Sequence, residues 1–103
     1  MRTIPTDRIA LCEHKRHAVV YTLASGETVE TATIPGSFSE HIAPLLRDKR
    51  FIQPHIAFAV NMSLAERLDK EGFTLKGGAF VPVSSKQYGL VRNAYMSYRL
   101  GVG

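Results

Sequence analysis

The chain has little that an exported, membrane-bound or catalytic protein needs. Cys12 is the only cysteine in 103 residues, so no intrachain disulfide framework can form, and a lone thiol fits a reducing compartment. No apolar run approaches the roughly 20 residues of a membrane-spanning helix. The first residues, MRTIPTDR, lack the apolar stretch of an export signal, so a cytoplasmic location without membrane association is expected. G-x-S-x-G, H-E-x-x-H, G-x-G-x-x-G and Walker-type phosphate loops are absent, and Gly77-Gly78 is not followed by Lys-Ser or Lys-Thr. Neither an enzyme nor a cofactor is expected. There is no internal repeat, low-complexity tract or linker, and residues 1–103 suffice for one modest core, so a single domain is expected.

What is present is an ordinary globular composition, 45% apolar and 21% charged. The net charge is +4, with four histidines able to add to it near pH 6. This surplus is mild; it suits an anionic partner without requiring one.

Residues 8–34 alternate in the manner of strands, with β-branched and aromatic residues at Ile9, Val19, Val20, Tyr21, Thr22, Thr28, Val29 and Thr31. Ser25-Gly26 punctuates two such runs as a hairpin turn. EHKRH, residues 13–17, stands in the same position between Ile9-Ala10-Leu11 and Ala18-Val19-Val20, as a second hairpin tip or the polar middle of one long strand. Pro35-Gly36 ends the alternation. Ser37-Phe38-Ser39-Glu40 then has the form of a capping box, with Phe38, Ile42, Leu45 and Leu46 on one helical face and Arg47, Lys49 and Arg50 near the end. Pro44 would remove a backbone hydrogen bond inside that helix, which predicts a kink or a short helix.

FIQPHIAFAVN, residues 51–61, predicts a short strand and a tight apolar turn, because Pro54 cannot donate from the middle of a sheet. For residues 62–73 local propensity favours helix, through Leu64, Leu68 and the formers Ala65, Glu66 and Arg67. FTLKGGAFVPV, residues 73–83, predicts a hairpin around Lys76-Gly77-Gly78. Ser84 and Gln87 predict a capping box opening a last helix whose inner face carries Tyr88, Val91, Tyr95 and Tyr98, with Gly101 at its end.

The segment HKRH, His14 to His17, admits several chemistries. A metal site needs three or four ligands within about 2.3 Å of one ion, and His14 and His17 would point to opposite faces of a strand. A Cys12-His14 nucleophile pair shares a strand face but lacks a third group to orient the base and donors to hold an oxyanion; Cys12 fits better as a small apolar residue. A solvated hairpin tip is the simplest reading. The sharper one is a basic finger that neutralises phosphates and donates to purine acceptors. His55 likewise reads locally as a histidine at the edge of an apolar cluster.

The order of these pieces resembles the LytTR DNA-binding domain of bacterial response regulators, from Ile4 to about Tyr98. FIQPHIAFAVNM is similar to that family's F-x-R-x-H-x-S-[FY]-x-V-N segment. GGAFVPVSSKQY is similar to its glycine turn, P-V-S strand end and following helix, and TDRIALCEHKRHAVVYTLASGE to its opening strand, loop and hairpin. The resemblance implies a mainly β fold with one or two helices, made of small antiparallel sheets with the helix before Phe51 packed against them. It also implies strands over residues 62–73, against the propensity reading.

It further implies that loops, not a recognition helix, enter the grooves of double-stranded DNA: the HKRH loop, the turn at His55 and Ile56, and the loop from Val83 into the last helix. Lys15, Arg16 and Lys86 are then the phosphate candidates and His17 and Arg16 the base readers. His14, His55, Ile56, Ser84 and Ser85 complete the contact set, while Phe51, Phe58, Val60 and Asn61 shape the turn. Such domains bind as pairs on repeated half-sites under a phosphorylated receiver domain, and these 103 residues contain no receiver. The chain departs from the family at Gln53 and Ser85, where arginine is common, at Ile56, usually polar or basic, and at Ala57, usually serine. A protein-interaction or regulatory module that kept the fold and weakened or lost DNA binding is the alternative those departures leave open.

Overall fold

In a computed structural model of the chain, residues 5–31, 33–34 and 36–101 are described. Pro35, half of the expected Pro35-Gly36 break, lies outside them. Strands β1 (Ile9–Lys15) and β2 (Ala18–Leu23) form a hairpin, which decides between the two readings of EHKRH, and β3 (Thr28–Glu30) adds to β2 after the Ser25-Gly26 turn. Helix α1 (Phe38–Leu46) precedes a second hairpin, β4 (Phe51–His55) and β5 (Phe58–Asn61), which joins through β5 to β1. The result is an antiparallel sheet in the order β3-β2-β1-β5-β4. A second antiparallel sheet holds β6 (Ala65–Leu68), β7 (Gly72–Leu75) and β8 (Phe80–Pro82) in that order, and α2 (Tyr88–Leu100) follows. No helix among the described residues is long and apolar enough to cross a membrane.

β1 is the middle of the large sheet and is buried on both faces, so Ile9 to Cys12 read as an unbroken apolar run rather than an alternation. A register irregularity between Ile9 and Leu11 re-aims its side chains. Ile9 and Cys12 pack with Val19, Leu23, Phe51, Ala59 and the α1 residues Phe38 and Ile42; Ala10 and Leu11 pack with Val60, Phe73, Leu75, Val81, Val91 and Tyr95. The large sheet thus separates α1 on one side from the small sheet and α2 on the other. Phe73, fully buried and edge-on to Tyr95 at 5.3 Å, contributes roughly 2–3 kcal/mol by burial.

Helix α1 begins as its sequence predicts. The Glu40 N–H donates to Ser37 Oγ at 3.1 Å, and the Ser37 hydroxyl donates to Glu40 Oε1 at 3.2 Å. Pro44 sits inside it and the helix stops at Leu46, short as expected. Beyond it, Arg50 forms a two-pronged pair with Asp48 at 3.0 and 2.7 Å, and that guanidinium holds the Asp48 carboxyl down to about 2.

Tertiary context modifies the local expectations at residues 62–73 and at Pro54, and the last helix begins later than its capping box predicts. Residues 62–73 are not helical: a short 3-10 turn, Met62–Leu64, leads into β6, which pairs with β7. The cross-strand pairing of Leu68 with Phe73 outweighs helix preferences of a few tenths of a kcal/mol per residue. The expected short strand and tight turn form, with β4 continuing through Pro54 to His55 because it is an edge strand with an irregular register between Ile52 and His55, so the missing donor is tolerated. The last helix starts at Tyr88 rather than at the Ser84 box; the residue flanking it, Gln87, gives no side-chain capping bond. Its expected inner face is observed, with Val91 and Tyr95 buried, Tyr88 and Tyr98 half-buried, and Gly101 at positive φ closing the end.

Two residues fix neighbouring strands within the sheets. Buried Asn61 donates from Nδ2 to the Ile9 carbonyl at 2.9 Å, and its Oδ1 accepts from the Ser63 N–H at 3.0 Å. At Gly72 a Cβ would stand 2.1 Å from the Val81 carbonyl oxygen, so only glycine lets β7 approach β8.

Candidate nucleic-acid interface

The tip of the β1–β2 hairpin is a two-residue turn in which Arg16 (φ 51°) and His17 (φ 67°) both take left-handed conformations. Hairpins favour this turn because its twist matches the strands, and they normally fill it with Asn-Gly or Gly-Gly. Placing two bulky L-residues there costs roughly 1–2 kcal/mol each. In return the turn projects Lys15, Arg16 and His17, all exposed, from the end of the sheet. His14, one step back, is half-buried, and its ring stacks on Phe38 at 5.4 Å with the planes 7° apart. It braces the hairpin against the start of α1.

The β4–β5 turn lies beside that hairpin, tied to it by the His14 N–H donating to the Ala57 carbonyl at 2.8 Å. Inside the turn the Ala57 N–H donates to His55 Nδ1 at 3.2 Å, so Nδ1 is an acceptor and the neutral ring carries its proton on Nε2. His55 also meets Phe58 edge to face at 5.6 Å. Gln53 Nε2 donates to the Ile56 carbonyl at 3.3 Å and to Ser39 Oγ at 3.1 Å, fastening the turn to α1. At its tip Ile56 is 80% exposed, the most exposed of the large apolar side chains described.

The segment before α2 adjoins the same turn, for Gln53, His55, Ile56, Ser84 and Gln87 line one cleft. Ser84 is half-buried; Ser85, Lys86 and Gln87 are exposed. Gln87 gives α2 no side-chain cap, and Lys86 precedes it on the same exposed segment.

The expected contact residues therefore fall on three adjoining segments, with His14 partly withdrawn as a support. Gln53, Ser39 and Gln87 belong to the same construction. Gln53 stands out in the sequence only as a missing arginine, and its fastening role depends on where α1 packs. Gln87 reads as half of a capping box, and only the observed helix start leaves its amide uncommitted to the cap.

Cys12 is fully buried, and burial pushes its thiol up to about 12, leaving almost no thiolate at neutral pH. Among the described residues no three His, Cys, Asp or Glu side chains are grouped to hold a metal ion.

The structure is similar to the LytTr DNA-binding domain of a methyl-accepting/DNA response regulator from Bacillus cereus, with a TM-score of 0.72 and 19% identity over 88% of this chain and 84% of that one. No protein-family model matches the sequence, and no curated protein matches it significantly. The fold is therefore the LytTR fold: mainly β, with two helices against small antiparallel sheets.

Proposed function

We propose that the chain binds duplex DNA in a sequence-specific manner through its three adjoining loops, as the non-enzymatic output domain of a bacterial transcriptional regulator of the two-component type. The observation that carries this reading is the hairpin tip: Arg16 and His17 occupy positive-φ positions where Asn-Gly would be more stable, and strain held by functional side chains is a mark of a working surface. The named DNA-binding role of the Bacillus cereus domain, built on the same fold, supports it.

In this reading Lys15, Arg16 and Lys86 neutralise phosphates, joined by the Ser84 and Ser85 hydroxyls. His17 and Arg16 reach base edges, His55 offers its Nε2–H, and His14 holds the tip in place. Ile56 stands between them. The protein acts in the cytoplasm on repeated half-sites, with a second copy on the neighbouring one, and takes its signal from a receiver domain outside these residues.

The test is a mobility-shift series on bacterial promoter duplexes across salt. Three neutralised phosphates give a slope of log affinity against log salt of about −2.7, at roughly −0.9 per contact. Absence of binding at low salt removes the DNA reading and favours a protein-interaction module on the same fold, which the apolar Ile56 at the tip would suit.

A further inference from the structure

The geometry points to a binding site for a small aromatic carboxylate in the cleft between the start of β4 and the end of α2, remote from the candidate nucleic-acid interface. β4 runs from Phe51 in this cleft to His55 beside the interface, and α2 begins next to Gln87 at the interface and ends here at Gly101. The cleft opens because β4 is the edge of the large sheet, where no further strand seals the line along which the two cores meet. Phe51 belongs to the core on the α1 side, and Ile52, Met62 and Tyr98 belong to the core on the α2 side. Along α2 the lining positions include Ala94, Ser97 and Gly101, which are too small to close the gap.

The cleft holds about 480 Å³, within the range of small-molecule sites. At about 30 Å³ for each water-sized group it has room for roughly 16 of them, or for an organic ligand of about a dozen non-hydrogen atoms. Phe51, Tyr98 and the Met62 thioether on its walls suit a flat aromatic body, since rings stack offset or edge-on and sulfur packs well against a ring. The charge preference comes from Lys49, which also lines the cleft. Lys49 is exposed and has no ion pair among the described residues, whereas the neighbouring Arg50 is committed to Asp48. The Tyr98 hydroxyl makes no hydrogen bond among the described residues and is free to donate to the same carboxylate. The carbonyl end of α2 disfavours an anion, and there the Gly101 N–H donates to the Ser97 and Tyr98 carbonyls. The carboxylate therefore sits at Lys49 and the ring against the helix. A neutral aromatic compound would leave Lys49 unused, and a cationic one would be repelled by it.

The experiment titrates the full chain into naphthalene carboxylate and, separately, into naphthalene carboxamide, which has the same shape without the charge. The chain has no tryptophan, so naphthalene emission reports binding directly. Saturable binding of the carboxylate is expected, roughly fivefold tighter than that of the carboxamide, as suits one ion pair open to solvent. Lys49→Gln is expected to bind the two compounds equally. Ser97→Phe, at an exposed position on the cleft, is expected to weaken both by at least about tenfold through filling the space the ring needs, and an unchanged melting temperature confirms its fold. Absence of saturable binding at millimolar ligand, or full binding by a folded Ser97→Phe, overturns the site. Equal affinity of the wild type for both compounds, or a preference that survives in Lys49→Gln, overturns the carboxylate assignment. None of these readouts involves DNA, so they are independent of the function proposed above.

Discussion

Replacing Arg16-His17 by Asn-Gly should stabilise the fold and impair DNA binding at once. Both residues sit at positive φ, 51° and 67°, at the tip of a hairpin whose last pair is Lys15 with Ala18. Each L-residue there costs roughly 1–2 kcal/mol, and asparagine tolerates the conformation. Glycine removes the cost at the second position and returns about 0.5–1 kcal/mol through the freer unfolded chain. The double variant Arg16→Asn/His17→Gly should therefore gain roughly 1–2 kcal/mol, seen as a higher urea midpoint at unchanged slope. At about 4–8 °C per kcal/mol for a domain near this size, the melting temperature should rise by at least 4 °C. On DNA the loss of one phosphate contact should make the salt slope shallower by about 0.9. The loss of a base contact worth about 1–3 kcal/mol should cut specific affinity at least fivefold. Fluorescence anisotropy on a selected duplex at several salt concentrations reads both. A lower urea midpoint would refute the strained-turn geometry; wild-type affinity and slope would refute the placement of this tip on DNA.

Asn61→Ala should cost about 2–3 kcal/mol in chemical denaturation, since it leaves the Ile9 carbonyl without its side-chain donor inside the core. An unchanged midpoint would mean that this bond does not join β1 to the end of β5. The Cys12 thiol, buried and raised to about 12, should resist a thiol reagent at pH 8 in the native protein and react only at the rate of unfolding. Reaction as fast as that of a free thiol would contradict the packing of β1 on α1. Asp48 has its carboxyl depressed to about 2, so its pair with Arg50 stabilises the fold above the ordinary carboxylate value, and that contribution disappears as pH falls from about 4 through 2. The pair is partly open to solvent and worth under about 1 kcal/mol; Asp48→Asn should remove that part of the acid dependence and little else. Equal acid sensitivity of Asp48→Asn and wild type between those pH values would show that the pair does not form.

Much of the local structure is decided between near neighbours in the chain and is legible there. Turns at Ser25-Gly26 and Gly77-Gly78, the Ser37-Glu40 cap, the brevity forced on α1 by Pro44 and the inner face of α2 follow from φ preferences, free helix donors and periodicity. Tertiary structure decided the rest. Residues 65–68 became a strand because β7 offered a partner, and Pro54 could stay in β4 because β4 ended up at an edge. The last helix begins at Tyr88, three residues beyond the start that a Ser84 cap predicts, with Gln87 at its flank. At the candidate interface the residue types of HKRH were legible as a basic tip. Their division of labour was not: His14 turns onto Phe38, 24 residues away, and Gln53 spans from Ser39 to Ile56. Such contacts depend on which surfaces meet after the sheet closes, and no local pattern carries that information.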